Sequence, residues 1–221
     1  MSKTAQSRTP APARRRYRQG ARAEAAQQTA KRILDVFVAR LTEGWFDEIT
    51  LDSVAADAGV AVQTVLRRFG SKEGLMEAAR DRLVEEVRIR RKVEAGDVEA
   101  AIRQLAADYE STGDLVMRLL MQEDRYTALR PFTDLGRREH RAWLEKVFAP
   151  QLQPWSGVER KQRVDMLVAA SDLYLWRLIR RDMGRSVADY AMTVRQLIDG
   201  ALARSRNETR VTELQKEGEK P

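Results

Sequence analysis

The chain has 221 residues, of which 43% are hydrophobic and 33% are charged, so its composition is globular and it is long enough to bury a core. With no cysteine and one histidine, disulfides, thiolate metal sites, cysteine nucleophiles and paired-histidine metal sites are excluded. The net charge of +7 favours an anionic partner. We therefore expect a protein that is not an enzyme and that needs no metal or cofactor.

The excess positive charge lies at the N-terminus. Residues 1–20 carry six basic and no acidic side chains, residues 21–95 are neutral overall, and residues 96–221 carry +1. This proline-containing segment is predicted to be a flexible arm, either a solvated tail or a contact for nucleic-acid phosphates or a minor groove. Its candidate contacts are Arg14, Arg15, Arg16 and Arg18. No secretory signal or membrane span is evident, which predicts a cytoplasmic protein.

The spacing of apolar residues is helical throughout and predicts an all-α fold. A first helix ends near Gly44, a second begins at Thr50, a third covers about 61–68, and a fourth runs from Ser71 to about residue 93. Five more helices are predicted, at 97–109, 114–123, 133–149, 159–183 and 187–204. This pattern divides the chain into an arm (1–20), a small domain (21–93), a larger domain (94–205) and a polar tail (206–221).

The second and third helices are short and are joined by a turn at Gly59, which is the arrangement of a helix-turn-helix within a three-helix unit. The polar residues of the third helix are Gln63, Thr64, Arg67 and Arg68. Glutamine suits the major-groove edge of adenine, and threonine suits a phosphate or a thymine methyl group. Lys72 begins the fourth helix, where an anion is favoured. The alternative is a solvated helix face, with Lys72 paired to a neighbouring glutamate.

The run TLDSVAADAGVAVQTVLRRFGSKEGL, from Thr50 to Leu75, resembles the DNA-binding signature of the TetR family of bacterial regulators. The matching positions are Thr50, Val54-Ala55, Ala58-Gly59-Val60, Thr64, Phe69, Ser71-Lys72-Glu73 and Leu75. The resemblance implies an N-terminal helix-turn-helix domain and a larger helical domain that binds a ligand and dimerises. It also implies that Thr50 and the start of the third helix at Ala61 lie close to DNA.

Three positions depart from the family pattern. Ala61 replaces a serine that would cap the third helix at a gain of ~1 kcal/mol. Leu66 replaces a tyrosine, and Arg68 stands where histidine or tyrosine is usual. Because charged contacts replace neutral ones, we expect binding that is more sensitive to salt than the family pattern implies.

The predicted helix at 159–183 is apolar on more than one face, which favours burial on both sides and therefore a second subunit as cover. The last helix, at 187–204, is expected to lie beside it. The residues predicted for this dimer interface are Val164, Leu167, Val168, Ser171, Leu175, Leu178, Val194 and Leu197.

Aromatic and methionine side chains are concentrated in the larger domain, where they either form the core or line an apolar ligand pocket. The residues predicted for a pocket are Met117, Met121, Trp143, Trp176, Asp172 and His140. His140 lies in a highly charged stretch and is otherwise a surface residue or one whose hydrogen bonds are satisfied.

Together these features predict a homodimeric repressor that binds a palindromic double-stranded DNA operator and is released by an unknown small-molecule effector. The alternative is a helical interaction or ligand-binding protein in which DNA recognition is weak or lost.

Overall fold

All regular structure that the computed structural model describes, the backbone of residues 12–203 and the side chains of residues 20–203, is helical. The α-helices are α1 (Pro12–Glu43), α2 (Leu51–Asp57), α3 (Val62–Phe69), α4 (Lys72–Arg90), α5 (Val98–Leu120), α6 (Arg130–Val147), α7 (Ala149–Leu152), α8 (Gly157–Ala170), α9 (Leu173–Arg177) and α10 (Val187–Leu202). This confirms the all-α prediction. No helix in this part of the chain is long and apolar enough to cross a membrane.

Two compact units divide between Ala79 and Arg80, inside α4. The sequence placed the domain boundary after this helix, at residues 93 and 94. The division lies earlier because the first half of α4 buries Leu75 in the first unit, whereas its second half belongs to the second unit. Helix α4 therefore contributes to both units.

The first unit is built around the apolar stripe of α1. Ile33, Phe37 and Leu41 recur every four residues, lie on one face of the helix and are fully buried. Helix α2 packs against both α1 and α3, and it buries Val54 completely, while α3 buries Val65. These contacts hold α2 against α1 and α3 against α2.

Helix α5 is the centre of the second unit and packs against α6, α9 and α10. The sequence predicted two helices here, divided at Gly113, but α5 is continuous. Gly113 is instead the point at which the ring of the fully buried Trp176 packs against the helix backbone. A small residue at this position is required by a long-range contact and not by a turn.

The predicted helix at 159–183 is also different in the structure. Helix α8 ends before Ser171, whose hydroxyl donates a hydrogen bond of 2.7 Å to the carbonyl oxygen of Leu167. The Asp172 carboxylate then accepts a 2.8 Å hydrogen bond from the Tyr174 N–H and begins α9. Side-chain bonds to the backbone at two adjacent residues thus favour a break over a continuous helix.

This break changes the predicted dimer interface. Val164, Leu167, Ser171 and Val194 are buried within the chain itself, so a second subunit cannot cover them. Their burial follows from the packing of α8 against both α6 and α10. Among the other predicted residues, Val168 and Leu175 are half-buried, and Leu178 and Leu197 are exposed.

The structure also differs from the prediction of a flexible arm at residues 1–20, because the second part of this segment is helical. Helix α1 begins at Pro12, because proline is well suited to the first helical turn and the following arginines and alanines are good helix formers. The side chains of Arg14, Arg15, Arg16 and Arg18 lie outside the described residues. Residues 1–11 and the predicted tail at 206–221 lie outside them as well.

The contact at Gly113 gives a test of the core. A Cβ atom at this position would lie 2.6 Å from the Trp176 ring, so Gly113→Ala should lower the free energy of unfolding by about 1–3 kcal/mol. Gly136→Ala in α6 is the control, because a Cβ there meets nothing within 4 Å and should stabilise the helix by up to about 1 kcal/mol. Urea unfolding followed by circular dichroism measures both, and equal stability of the two variants would contradict the packing described.

Candidate nucleic-acid interface and ligand cavity

Helix α2 begins with a reciprocal cap. The Thr50 hydroxyl accepts a 3.1 Å hydrogen bond from the Ser53 N–H, and the Ser53 hydroxyl accepts one of 3.2 Å from the Thr50 N–H. The helix ends in a turn in which Gly59 adopts a φ of +62°, a conformation that favours glycine. The Val60 N–H donates to the Ala55 carbonyl oxygen at 2.9 Å and closes the turn. The predicted helix-turn-helix is therefore present.

Helix α3 presents one buried and one polar face. Val65 is fully buried, while Gln63, Arg67 and Arg68 are exposed and Thr64 is half-buried. Since residues four apart lie one above the other on a helix, Gln63 and Arg67 form one column and Thr64 and Arg68 the next. The structure thus brings these four predicted residues together on two turns.

The two N-cap positions proposed to lie near DNA differ from each other. Thr50 is exposed, and its hydroxyl already caps α2. Ala61 is the N-cap of α3 and provides no side-chain hydrogen bond. The Thr64 N–H instead donates to the Ala61 carbonyl oxygen at 2.8 Å.

Lys72 is placed differently from its predicted role at a phosphate. Its ammonium group donates hydrogen bonds to the carbonyl oxygens of Phe46, at 2.6 Å, and Ile49, at 2.9 Å, and lies 4.3 Å from the centre of the Phe46 ring. Partial burial of the ammonium lowers the pKa of Lys72. The side chain therefore ties the start of α4 to the segment just before α2, and its contact with a phosphate stays a prediction.

The tie made by Lys72 should matter for stability. Lys72→Met keeps the aliphatic stem but removes the donor of both carbonyl oxygens, and should lower the free energy of unfolding by about 1–3 kcal/mol. Lys31→Met is the control, because among the described side chains Lys31 makes one ion pair, with Asp35, which is exposed and should contribute less than about 0.5 kcal/mol. Thermal and urea unfolding compare the variants. If both were equally stable, the ammonium of Lys72 would have no structural role.

A cavity of about 500 Å³ lies in the second unit, among the second half of α4, α5 and α6. Its walls are mostly apolar and include Val84, Val87, Val116, Leu120 and Phe132. This size and lining are typical of sites for small molecules.

One wall of the cavity carries a polar network centred on Arg91. Its guanidinium forms an ion pair with the buried Asp108, with a shortest distance of 2.7 Å, and donates to Nδ1 of His140 at 3.0 Å. The other ring nitrogen, Nε2, lies 3.1 Å from the Ser171 hydroxyl oxygen. Because a guanidinium can only donate, Nδ1 of His140 must accept, and the proton of the neutral ring is assigned to Nε2. The network therefore requires an uncharged histidine.

Burial and the neighbouring Arg91 guanidinium both favour the neutral imidazole. They lower the pKa of His140 to about 3. The other groups that face it are the Tyr109 and Trp143 rings, with centroids 6.5 and 6.1 Å from its own. The only histidine in the chain thus takes up a proton at a lower pH in the folded state than in the unfolded state.

The shifted histidine predicts an acid-labile fold. The unfolded chain takes up a proton near pH 6.5, whereas folded His140 does so only near pH 3, so acidification through this window favours unfolding. The His140 contribution should make the protein about 2 kcal/mol less stable at pH 5 than at pH 8. In His140→Gln this contribution is absent, while that of the carboxylates remains. Urea unfolding at the two pH values gives the difference, and identical pH dependence in both proteins would refute the assignment.

Three of the predicted pocket residues, Trp143, Asp172 and His140, line the cavity. The other three are placed elsewhere: Met117 and Trp176 are in the core, and Met121 is exposed on the surface. Helical spacing alone does not distinguish an aromatic core from a pocket wall, which is why Trp176 was misplaced. Sequence reasoning also missed Arg91 and Asp108, because neither is unusual in a chain in which 33% of residues are charged.

Residues 33–79 match the family of bacterial regulatory proteins named tetR. The match assigns this segment to the DNA-binding domain of the tetR family. The matched segment contains the α2–turn–α3 unit and the start of α4. Because the family consists of bacterial regulatory proteins, the match supports a DNA-binding role for the helix-turn-helix described above. No curated protein matches the sequence.

Several solved structures are similar over the whole fold. A protein described as a TetR-family transcriptional regulator from Rhodococcus sp. has a TM-score of 0.61 at 18% identity, and the match covers 80% of this chain and all of that one. A transcriptional regulator from Pseudomonas aeruginosa PAO1 has a TM-score of 0.63 at 16% identity, and the match covers 80% of this chain and 91% of that one. The fatty acid degradation regulator FadR from Bacillus halodurans has a TM-score of 0.57 at 18% identity, and the match covers 80% of this chain and 96% of that one. At these identities the likeness concerns the fold.

Proposed function

We propose that this chain is a cytoplasmic, homodimeric repressor that reads a palindromic DNA operator with α3 and is released by a small molecule. The observation that carries the proposal is the polar face of α3, where Gln63, Thr64, Arg67 and Arg68 lie on two successive turns. Gln63 and Thr64 read base edges, and the two arginines neutralise phosphates. Thr50 and Ala61, at the N-caps of α2 and α3, approach the sugar-phosphate backbone of the DNA.

The N-terminal arginines add affinity without sequence preference in this proposal. Arg14, Arg15, Arg16 and Arg18 give the segment its charge and contact phosphates or the minor groove. Each phosphate that Arg or Lys neutralises releases counterions, so affinity falls as the salt concentration rises.

A dimer is supported by apolar side chains that one chain leaves uncovered. Met166 on α8, Tyr174 on α9 and Met192 on α10 are 45–57% exposed, as are Leu178 and Leu197 from the predicted interface, at 48% and 44%. Helices α8 and α10, which carry Met166 and Met192, pack against each other, and exposed apolar residues that adjoin are typical of interaction surfaces. A dimer also supplies two copies of α3, as a palindromic operator requires.

Release by a ligand is supported by the position of α4. Its first half is part of the unit that carries α3, and Val84 and Val87 in its second half line the cavity. A ligand that binds one position of this helix better than another shifts the equilibrium by that difference in affinity.

The assignment of α3 is tested by the double variant Gln63→Ala/Thr64→Ala. Loss of a base contact costs about 1–3 kcal/mol, so the preference for operator over unrelated DNA should fall at least tenfold, while dimerisation is unchanged. Gln162→Ala on the exposed surface of α8 is the control and should bind like the parent protein. Gel-shift titration with both DNAs measures the ratio. Specific binding that survives the double change would show that α3 is not the reading element.

A further inference from the structure

We propose that the cavity of the second unit binds a small monoanion with an apolar body, such as a carboxylate carried by an alkyl chain, and that Lys92 and Lys146 hold its charged group. This proposal rests on the proposed function only in treating the ligand as the effector, since the binding itself needs no DNA. It is carried by the shape and lining of the cavity together with the balance of charge around it.

The body of the ligand must be apolar. Val84 and Val87 on α4, Val116 and Leu120 on α5, and Phe132 on α6 face the same space of about 500 Å³. Burial of an apolar group against these walls is favourable because it removes apolar surface from water. A strongly hydrated body would lose its water here without gaining partners.

The buried polar groups of the wall are already bonded to one another. Arg91 pairs with Asp108 and donates to His140, and His140 bonds to Ser171. The Arg91 guanidinium also lies 5.0 Å from the centre of the Tyr109 ring and 5.4 Å from that of Trp143. The aromatic faces that would attract a cationic ligand thus already have a cation beside them, and this disfavours a cationic ligand.

Two other arginines of the lining are neutralised by ion pairs with acidic side chains. Arg88 pairs with Glu139 at 2.8 Å, and Arg137 pairs with Glu123 and with Asp134.

Lys92 and Lys146 also line the cavity, are exposed, and make no hydrogen bond or ion pair within residues 20–203. The Asp172 carboxylate is the one acidic group of the lining without a basic partner among the described side chains, so the unpaired groups of the lining carry one positive charge in excess. One negative charge on the ligand neutralises it.

The segments that carry the two lysines are joined by a hydrogen bond. The Trp143 indole N–H donates a 2.8 Å hydrogen bond to the carbonyl oxygen of Arg91, which joins the end of α4 to α6. Lys92 follows Arg91 directly, and Lys146 lies one helical turn after Trp143. In this proposal both flexible ammonium groups hold the carboxylate, and the apolar body lies against the valines and Phe132.

Isothermal titration calorimetry of the full chain tests the inference with three probes of one chain length, below their micelle concentrations: decanoate, decanol and decyltrimethylammonium. Decanoate should bind at least tenfold more tightly than either of the others, because only it gains charge-assisted hydrogen bonds. Stronger binding of the alcohol or of the cation would overturn the proposal.

The variant Lys92→Gln/Lys146→Gln locates the charged group. It should weaken decanoate at least tenfold and leave decanol unchanged, whereas Lys161→Gln, an exposed position on α8 outside the cavity, should change neither. Unchanged decanoate affinity in the double variant would refute the role of the lysines. Gel shifts on the same proteins keep the two proposals separable: decanoate binding without operator binding would contradict only the DNA proposal, and operator binding without decanoate binding only this one.

Discussion

A helix of two turns can bury only one of its faces, and the function proposed for this chain depends on which face of α3 that is. Val65 is the one residue of α3 that is fully buried, and its packing fixes the rotation of the helix about its own axis. Glycines with positive φ precede and follow the helix, at Gly59 and Gly70, so its length is fixed as well. The polar face is therefore a consequence of how the helix is anchored.

Local spacing was sufficient to predict this element. The apolar positions, the Thr50 cap and the turn at Gly59 are all encoded within a few residues of one another, and the structure has them in the same register. Lys72 shows where such reasoning stops. Its partners are the carbonyl oxygens of residues 26 and 23 positions earlier in the chain, so the pattern around it indicated a free cation at a helix start. The contacts of its ammonium join distant segments, and local spacing cannot predict them.

The second unit was less predictable for the same reason. Helical spacing correctly indicated which segments are helices, but Gly113 and Ser171 are understood only from their partners Trp176, Leu167 and His140. A glycine under an indole ring looks in sequence like a helix break, and a serine at a true break looks like part of an apolar stripe. The cavity is a product of these long-range contacts. This explains why only half of the residues predicted from sequence for the pocket line it.

The most direct test of the claim that α3 reads DNA is selection of bound DNA from a random pool by the full-length protein. The account predicts enrichment of one sequence in two inverted copies, since a symmetric dimer presents two α3 helices related by a two-fold axis. The centres of the half-sites should be separated by about 34–36 Å or a multiple of this distance, because both helices enter the major groove on one side of the duplex. A pool that stays random, or one enriched in a single unpaired site, would contradict the account.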